Sequence, residues 1–412
     1  MIGDKKGAKE GMNLSALEWE INLLSKMVEV DTESVSKKGY DKCASIIITA
    51  AKSNSLANEV IDGEKGAKDG LSRPNVIVTL DTGSEATLLV EAHFDIVPPG
   101  PNWKYPPFKL TVEKDKAYGR GTADNKAGIA AALGAMRLLR HEKLDINLKL
   151  IAGVDEEIGG RYGLDYVLTD RKLQGDAALI VDAGSDRLYL GACGIIWGKV
   201  IVEGKQGHAG SPYKAKNAIE EAIRLFTALD PYRKAVEKKK SVLYAPPDAP
   251  KKFVWGRYTV TMFHGGEKEN VIPGICEFRF DRRLLPEESP DQAEKELKAY
   301  FKQALQKAGC QGKLEITNKT PGYNTPKNLT FVQTVVKSIK KTIGKKLPFA
   351  GELGGNDGSF FAKNGIPVVS YGTIGTDTNY HSTNEFVYLK HIENVRNLIV
   401  NLGKVKKEEI AQ

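Results

Sequence analysis

The chain has 412 residues, 41% hydrophobic and 27% charged, with 60 Lys and Arg against 52 Asp and Glu for a net charge of +8. That length exceeds what one hydrophobic core usually fills, so about two or three domains are expected, and the composition excludes a disordered chain. No apolar run in the opening residues is long enough for a signal peptide or membrane span, which predicts a soluble cytoplasmic protein. Lysines in short helical runs without interleaved aromatics argue against a nucleic-acid partner.

An amphipathic helix is expected between Ser15 and Val30 and a second from Tyr40 to Ser53. Asn75 to Leu80, Thr87 to Ala92, Asn147 to Val154 and Ala177 to Val181 read as strands. Several lack polar alternation, the mark of strands covered on both faces. Lys126 to Arg140, rich in Ala and Leu, reads as a helix between them, and the alternation predicts an α/β fold with a helix-covered sheet.

After Gly194 the pattern changes. Ile195 to Val202 reads as a strand, Asn217 to Lys239 as a helix, Phe253 to Phe263 and Ile275 to Leu285 as strands of period two. A helix capped by Ser289 and Pro290 follows, then a strand at Lys313 to Thr317. This β-α-β-β-α-β order is the split, ferredoxin-like unit. The Tyr244 to Lys252 stretch, with three prolines, reads as a surface loop. Past Pro321 the chain resumes helix, Gly-rich loop, strand and helix. The predicted organisation is a discontinuous domain of residues 1–194 and 316–412 carrying an inserted domain of residues 195–315.

Seven residues stand where apolar runs stop or Gly-rich turns begin: His93, Asp95, Asp124, Glu156, Glu157, Asp182 and His381. An α/β sheet builds its site at the carboxyl edge of its strands, and this set of N and O ligands suits a pair of divalent metals. The four cysteines form no C-x-x-C pair, so neither a zinc ribbon nor a disulfide framework is indicated. Each residue also has a plainer reading. His93 and Asp95 could be a ligand steadied by a carboxylate or a strand-end histidine with a cap. Asp124 could be a ligand or a helix N-cap. The run Asp155-Glu156-Glu157 is costly in self-repulsion unless a cation or proton intervenes, or it is a surface acidic turn. On an extended segment Glu156 and Glu157 would point oppositely and do different work, one binding metal and one acting as base. His208 lies in a glycine turn of the inserted segment, whereas His141, His264 and His391 have structural explanations.

In order and spacing, H-x-D-x-V-P-x-G (His93 to Gly100), G-R-G-x-x-D-x-K (Gly119 to Lys126), D-E-E-x-G (Asp155 to Gly159), Asp182, G-H-A (Gly207 to Ala209), N-x-I-P (Asn270 to Pro273) and a late H-x-x-N-E resemble the co-catalytic zinc amidohydrolases. That family includes acetylornithine deacetylase, succinyl-diaminopimelate desuccinylase, aminoacylase, carnosinase and glutamate carboxypeptidase. The resemblance runs from about residue 15 to 405. It implies that His93 and Asp182 bind one metal, Glu157 and His381 the other, that Asp124 bridges them, and that the peptide after Asp124 is cis. The metals would be zinc, with cobalt or manganese as alternatives. It further implies that Asp95 orients His93, that Glu156 is the general base, and that His208 reaches from a partner's lid to the oxyanion with Asn270 beside it. Arg283 would grip a substrate carboxylate, and the loop of Gly354 and Gly355 would line the same pocket. The inserted domain becomes a lid that forms a homodimer, and the substrate an N-acyl amino acid, with a C-terminal peptide bond as the alternative. There are departures. Asn125 and Ala127 replace an apolar residue and a glycine after the bridging aspartate, Ala183 follows Asp182, and Ser359 stands where desuccinylases tend to carry Arg.

Overall fold

The computed structural model describes residues 14–411; residues 1–13 and 412, parts of the predicted first domain, lie outside the described residues. Ser15 opens helix α1 (Ala16–Val28) with a capping box, its hydroxyl accepting from the Glu18 amide while the Glu18 carboxylate accepts from its own. Helix α2 (Tyr40–Ser53), strands β1 (Ala57–Asp62), β2 (Pro74–Leu80) and β3 (Thr87–His93), helix α3 (Ala127–Leu139), and strands β4 (Asn147–Gly153) and β5 (Ala177–Ile180) follow. β3 and β5 are buried along their whole lengths, β5 as an unbroken apolar run and β3 with Glu91 and His93 buried among its apolar residues.

The chain then forms β6 (Gly194–Glu203), α4 (Ala218–Ala228), α5 (Asp230–Lys238), β7 (Arg257–Gly265), β8 (Ile275–Leu284), α6 (Pro290–Ala308) and β9 (Gln311–Thr320). It ends with α7 (Thr330–Ile343), β10 (Val368–Ser370) and α8 (Leu389–Gly403). It divides into two compact units. The first takes the chain up to Leu190, Thr325–Phe349 and the residues from Phe360 onward; the second takes Gly191–Asn324 and Ala350–Ser359. Among the described residues no helix is long and apolar enough to cross a membrane.

In the first unit six strands of a mixed sheet run in the order β1-β2-β4-β3-β5-β10. The last four are parallel and the first two antiparallel to their neighbours. Helix α8 packs on α3. Between α1 and α8, Glu20 is fully buried and pairs with Arg396 at 3.0 Å, while Gly134 of α3 leaves it room: a Cβ there would fall 2.1 Å from its Oε1. Burial outweighs the Arg396 ion pair and pushes the Glu20 carboxyl up to about 8. A raised carboxyl stabilises fully below its unfolded value and loses that contribution as pH climbs through its folded one. The stability of Glu20→Gln relative to the wild-type protein should therefore rise by a few kcal/mol between pH 5 and pH 8, read by chemical denaturation. A pH-independent difference would place the proton elsewhere.

In the second unit β7-β8-β6-β9 form an antiparallel sheet in the ferredoxin-like order. Alternation puts Ile196, Val200, Val202, Phe278 and Phe280 into a core with Leu225, Leu297 and Phe301 of the helices. Two expected elements are interrupted. The helix predicted from Asn217 to Lys239 breaks at Leu229, where Pro231, lacking an N–H, starts a new first turn. The strand predicted from Phe253 to Phe263 breaks at Gly256, where a Cβ would lie 2.6 Å from the Val236 carbonyl oxygen. Phe253–Trp255 pairs with Lys240–Tyr244 instead.

Candidate metal centre

Parallel register aligns the ends of β3, β4 and β5. His93 lies opposite Gly153 and Glu91 opposite Ile180, so His93, the Asp155–Glu157 turn and Asp182 leave the sheet at one edge. Asp124 arrives from a π-helical turn, Thr122–Lys126, whose Asp124–Asn125 peptide is cis.

The buried imidazole of His93 has its Nε2 3.0 Å from Asp124 Oδ1 and 3.5 Å from Asp182 Oδ2. His381 Nε2 lies 3.0 Å from Asp124 Oδ2 and 3.0 Å from Glu157 Oε2. Asp124 thus offers one oxygen to each histidine. His93, Glu156 and Asp182 form one cluster, and His93, Asp124 and Glu157 another, whose ligand atoms lie within 4.8 Å of one another. Glu156 and Glu157 lie in a 3-10 turn, Glu156–Ile158, rather than on the extended segment expected. A step of about 120° per residue still separates adjacent side chains.

The donor set, imidazole nitrogens and carboxylate oxygens drawn together, is one that fits a cation. Burial, then repulsion from Asp124, pushes Glu157 up to about 7, and the same two causes raise Asp182. Burial works against charge on His93, yet hydrogen bonds to Asp124, Asp182 and Asp95 hold its imidazolium well above the ordinary value. Hydrogen bonds to Asp124 and Glu157 lift His381 to about 10. Burial also works against the Asp124 carboxylate, but His381 and His93 outweigh it and keep that group ionised. A set of acceptor-only oxygens and imidazole nitrogens of this kind is what divalent metals replace protons on.

Around these residues lies a layer of buried charge. The His93 Nδ1 meets the main-chain oxygen of Asp95 at 3.1 Å and its carboxylate at 3.4 Å. The two carboxylate oxygens of Asp95 accept from the amides of Glu156 and Glu157, each at 3.2 Å. Asp95 therefore touches His93 and the acidic turn together. The charge of Asp155 is met by two cations, Arg73 Nε at 2.7 Å and Lys37 Nζ at 3.2 Å, and by a hydrogen bond from the Tyr40 hydroxyl at 2.9 Å.

Glu385, not singled out from the sequence, accepts from the amides of Gly121 (3.0 Å), Ala123 (2.9 Å) and Asp124 (3.2 Å) and from Arg120 Nη1 (2.6 Å), all buried. Its signal was the late H-x-x-N-E motif, read only for its histidine.

The other expected site residues belong to the second unit. His208 sits in a two-residue strand paired with Val271–Ile272. Its exposed ring accepts from the Gly210 amide at 3.0 Å, and the Asn270 carbonyl accepts from the amide of the adjoining Ala209. Arg283 lies on the face of β8 opposite the core, its Nε 2.9 Å from Asp281, which also receives Trp197 Nε1 at 2.7 Å. Gly354 and Gly355 are exposed. The Gly354 carbonyl accepts from the Cys193 amide at 2.8 Å, and Arg257 donates to the Leu353 carbonyl just before them.

A mixed α/β sheet with imidazoles and carboxylates converging at its carboxyl edge defines a metallohydrolase. Residues 89–404 match the model of peptidase family M20/M25/M40, and the chain belongs to that family. It is 30% identical over 349 residues to an uncharacterised metallohydrolase of Methanocaldococcus jannaschii, covering 79% of this chain and 82% of the relative. It is 28% identical to the succinyl-diaminopimelate desuccinylase of Wolinella succinogenes, covering 75% and 81%. Among solved structures, a metallo-carboxypeptidase of Sulfolobus solfataricus superposes with a TM-score of 0.77 at 22% identity, covering 94% of this chain and 99% of that one. Human carnosine dipeptidase 1 does so with 0.75 at 17% identity, covering 97% and 99%. The chain is thus a metallopeptidase or amidohydrolase of this fold.

Proposed function

We propose that the chain hydrolyses the amide bond of an N-acyl amino acid carrying a free carboxylate. The observation that carries this reading is the division of Asp124 between His93 and His381, with Glu156 beside His93 and Asp182. In this reading His93, Asp124 and Asp182 hold one divalent ion and Asp124, Glu157 and His381 a second. Zinc is our choice, with cobalt and manganese as alternatives. When bound, such ions polarise the scissile carbonyl and acidify a water. Glu156 takes the proton of the attacking water on its carboxylate and passes it to the nitrogen of the leaving amine. Asp95 keeps Glu156 and Glu157 in place through their amides.

To the second unit we assign the lid and homodimer roles. His208, with Asn270 beside it, serves the developing oxyanion, and Arg283 the substrate carboxylate, which its guanidinium suits by geometry. Gly354 and Gly355 present backbone to the acyl chain. The desuccinylase relatives support an acyl substrate over a peptide.

The test is a panel of N-succinyl and N-acetyl amino acids against dipeptides, with zinc, cobalt and manganese each supplied. Acyl amino acids are expected to turn over faster. Cleavage of dipeptides with acyl amino acids untouched would move the assignment to a dipeptidase or carboxypeptidase.

A further inference from the structure

The side chain of Asn125, the residue after the predicted bridging ligand, is fully buried and aimed at a second predicted ligand. Its Nδ2 donates to the Val181 carbonyl at 2.9 Å and to Asp182 Oδ1 at 3.2 Å. The Val181 carbonyl can only accept, so the amide cannot be turned round, and Asp182 Oδ1 receives an N–H. The other end of the amide, Oδ1, is buried with no hydrogen-bond donor among the described residues. Space is nevertheless kept for it: a Cβ on Gly128, one turn along, would fall 2.4 Å from that oxygen and 2.7 Å from Val181 Cγ2. A buried polar oxygen left without a donor opposes placing an amide here, so the donor end must offset it. An apolar side chain at this position would offer no donor to Asp182.

We infer that Asn125 is a positioning residue that ties down Oδ1 of Asp182, so that Asp182 presents Oδ2 alone to its metal and the two metal sites differ in strength through this hydrogen bond. The geometry matches, because the untied Oδ2 is the oxygen that faces His93 Nε2, at 3.5 Å. A donor on the outer oxygen of a carboxylate ligand fixes its rotation and tunes its basicity, and losing such a partner commonly costs about 10–100-fold in metal affinity. The effect falls on the site that contains Asp182. The site of Glu157 and His381, which Asn125 does not touch, keeps its strength. This inference rests on the ligand set proposed above.

The test is calorimetric titration of metal-free full-length Asn125→Leu with zinc beside the wild-type protein and Asp182→Ala. One of two affinities in Asn125→Leu is expected to fall by about 10–100-fold with the other unchanged, and that weakened affinity is expected to be the one Asp182→Ala abolishes. Two unchanged affinities would overturn the inference. So would two affinities weakened alike, since that is what a displaced loop produces. If Asn125→Leu does not fold, a crystal structure of the metal-loaded wild-type protein decides. Asp182 bound through Oδ2 alone with the Asn125 contact kept supports the inference; binding through both oxygens overturns it. The function reading fails separately, through an Asp182→Ala protein that still binds two ions.

Discussion

Glu156→Gln should bind metal as the wild-type protein does and lose on the order of 10²–10⁴-fold in kcat, the usual span for removing a positioned proton carrier. Glu156 is held in part through its own amide, which donates to Asp95 and is unchanged by the substitution. The amide of Gln keeps the shape and hydrogen-bonding volume but cannot take up a proton and return it. His93, Asp124, Glu157, Asp182 and His381 are untouched, and zinc titration should find the same stoichiometry and affinities. A variant with near-native kcat would remove Glu156 from the proton's path. Loss of an ion along with activity would instead make it a ligand, an option its place in the cluster with His93 and Asp182 makes worth measuring.

Glu385→Ala should be the most destabilising change in the first unit, by about 3–5 kcal/mol, because it strands a buried charge. The Arg120 guanidinium loses its only carboxylate partner among the described residues, keeping the carbonyl oxygens of Ser382, Pro98 and Pro99. Three backbone amides lose their acceptor in the same stroke, one of them that of Asp124. Since Asp124 reaches both histidines, affinity for both ions should fall together, unlike the one-sided loss expected at Asn125. Chemical denaturation with and without zinc measures the first effect and zinc titration the second. Stability within about 1 kcal/mol of wild type, with metal binding unchanged, would mean that the loop holds its shape without the carboxylate.

What could be read from the chain alone depended on how local the cause was. β3 and β5 announced themselves as short apolar runs, and the helix after Ser15 as a cap followed by a periodic face. β1, largely exposed at the sheet edge, has no apolar run to betray it. The ends of the parallel strands were legible because a carboxylate or imidazole halting an apolar run has few other reasons to be there. Partners distant in sequence were not. The three-carboxylate turn pointed to a cation, yet those nearest Asp155 are Lys37 and Arg73, brought by segments whose sequences carry no sign of that destination. The late H-x-x-N-E motif marked Glu385 but not its partners, for the same reason, as its donors are a loop some 260 residues earlier.

The fastening of Asp155 by Lys37, Arg73 and Tyr40 reaches beyond charge balance. Those contacts hold the acidic turn with protein atoms alone, and Asp95 holds it from the other side through two amides. The cradle is therefore shaped before any ion arrives. Stripping the metals with a chelator should leave a folded apoprotein that reloads quickly, in the manner of a socket rather than of a domain that condenses around its ion.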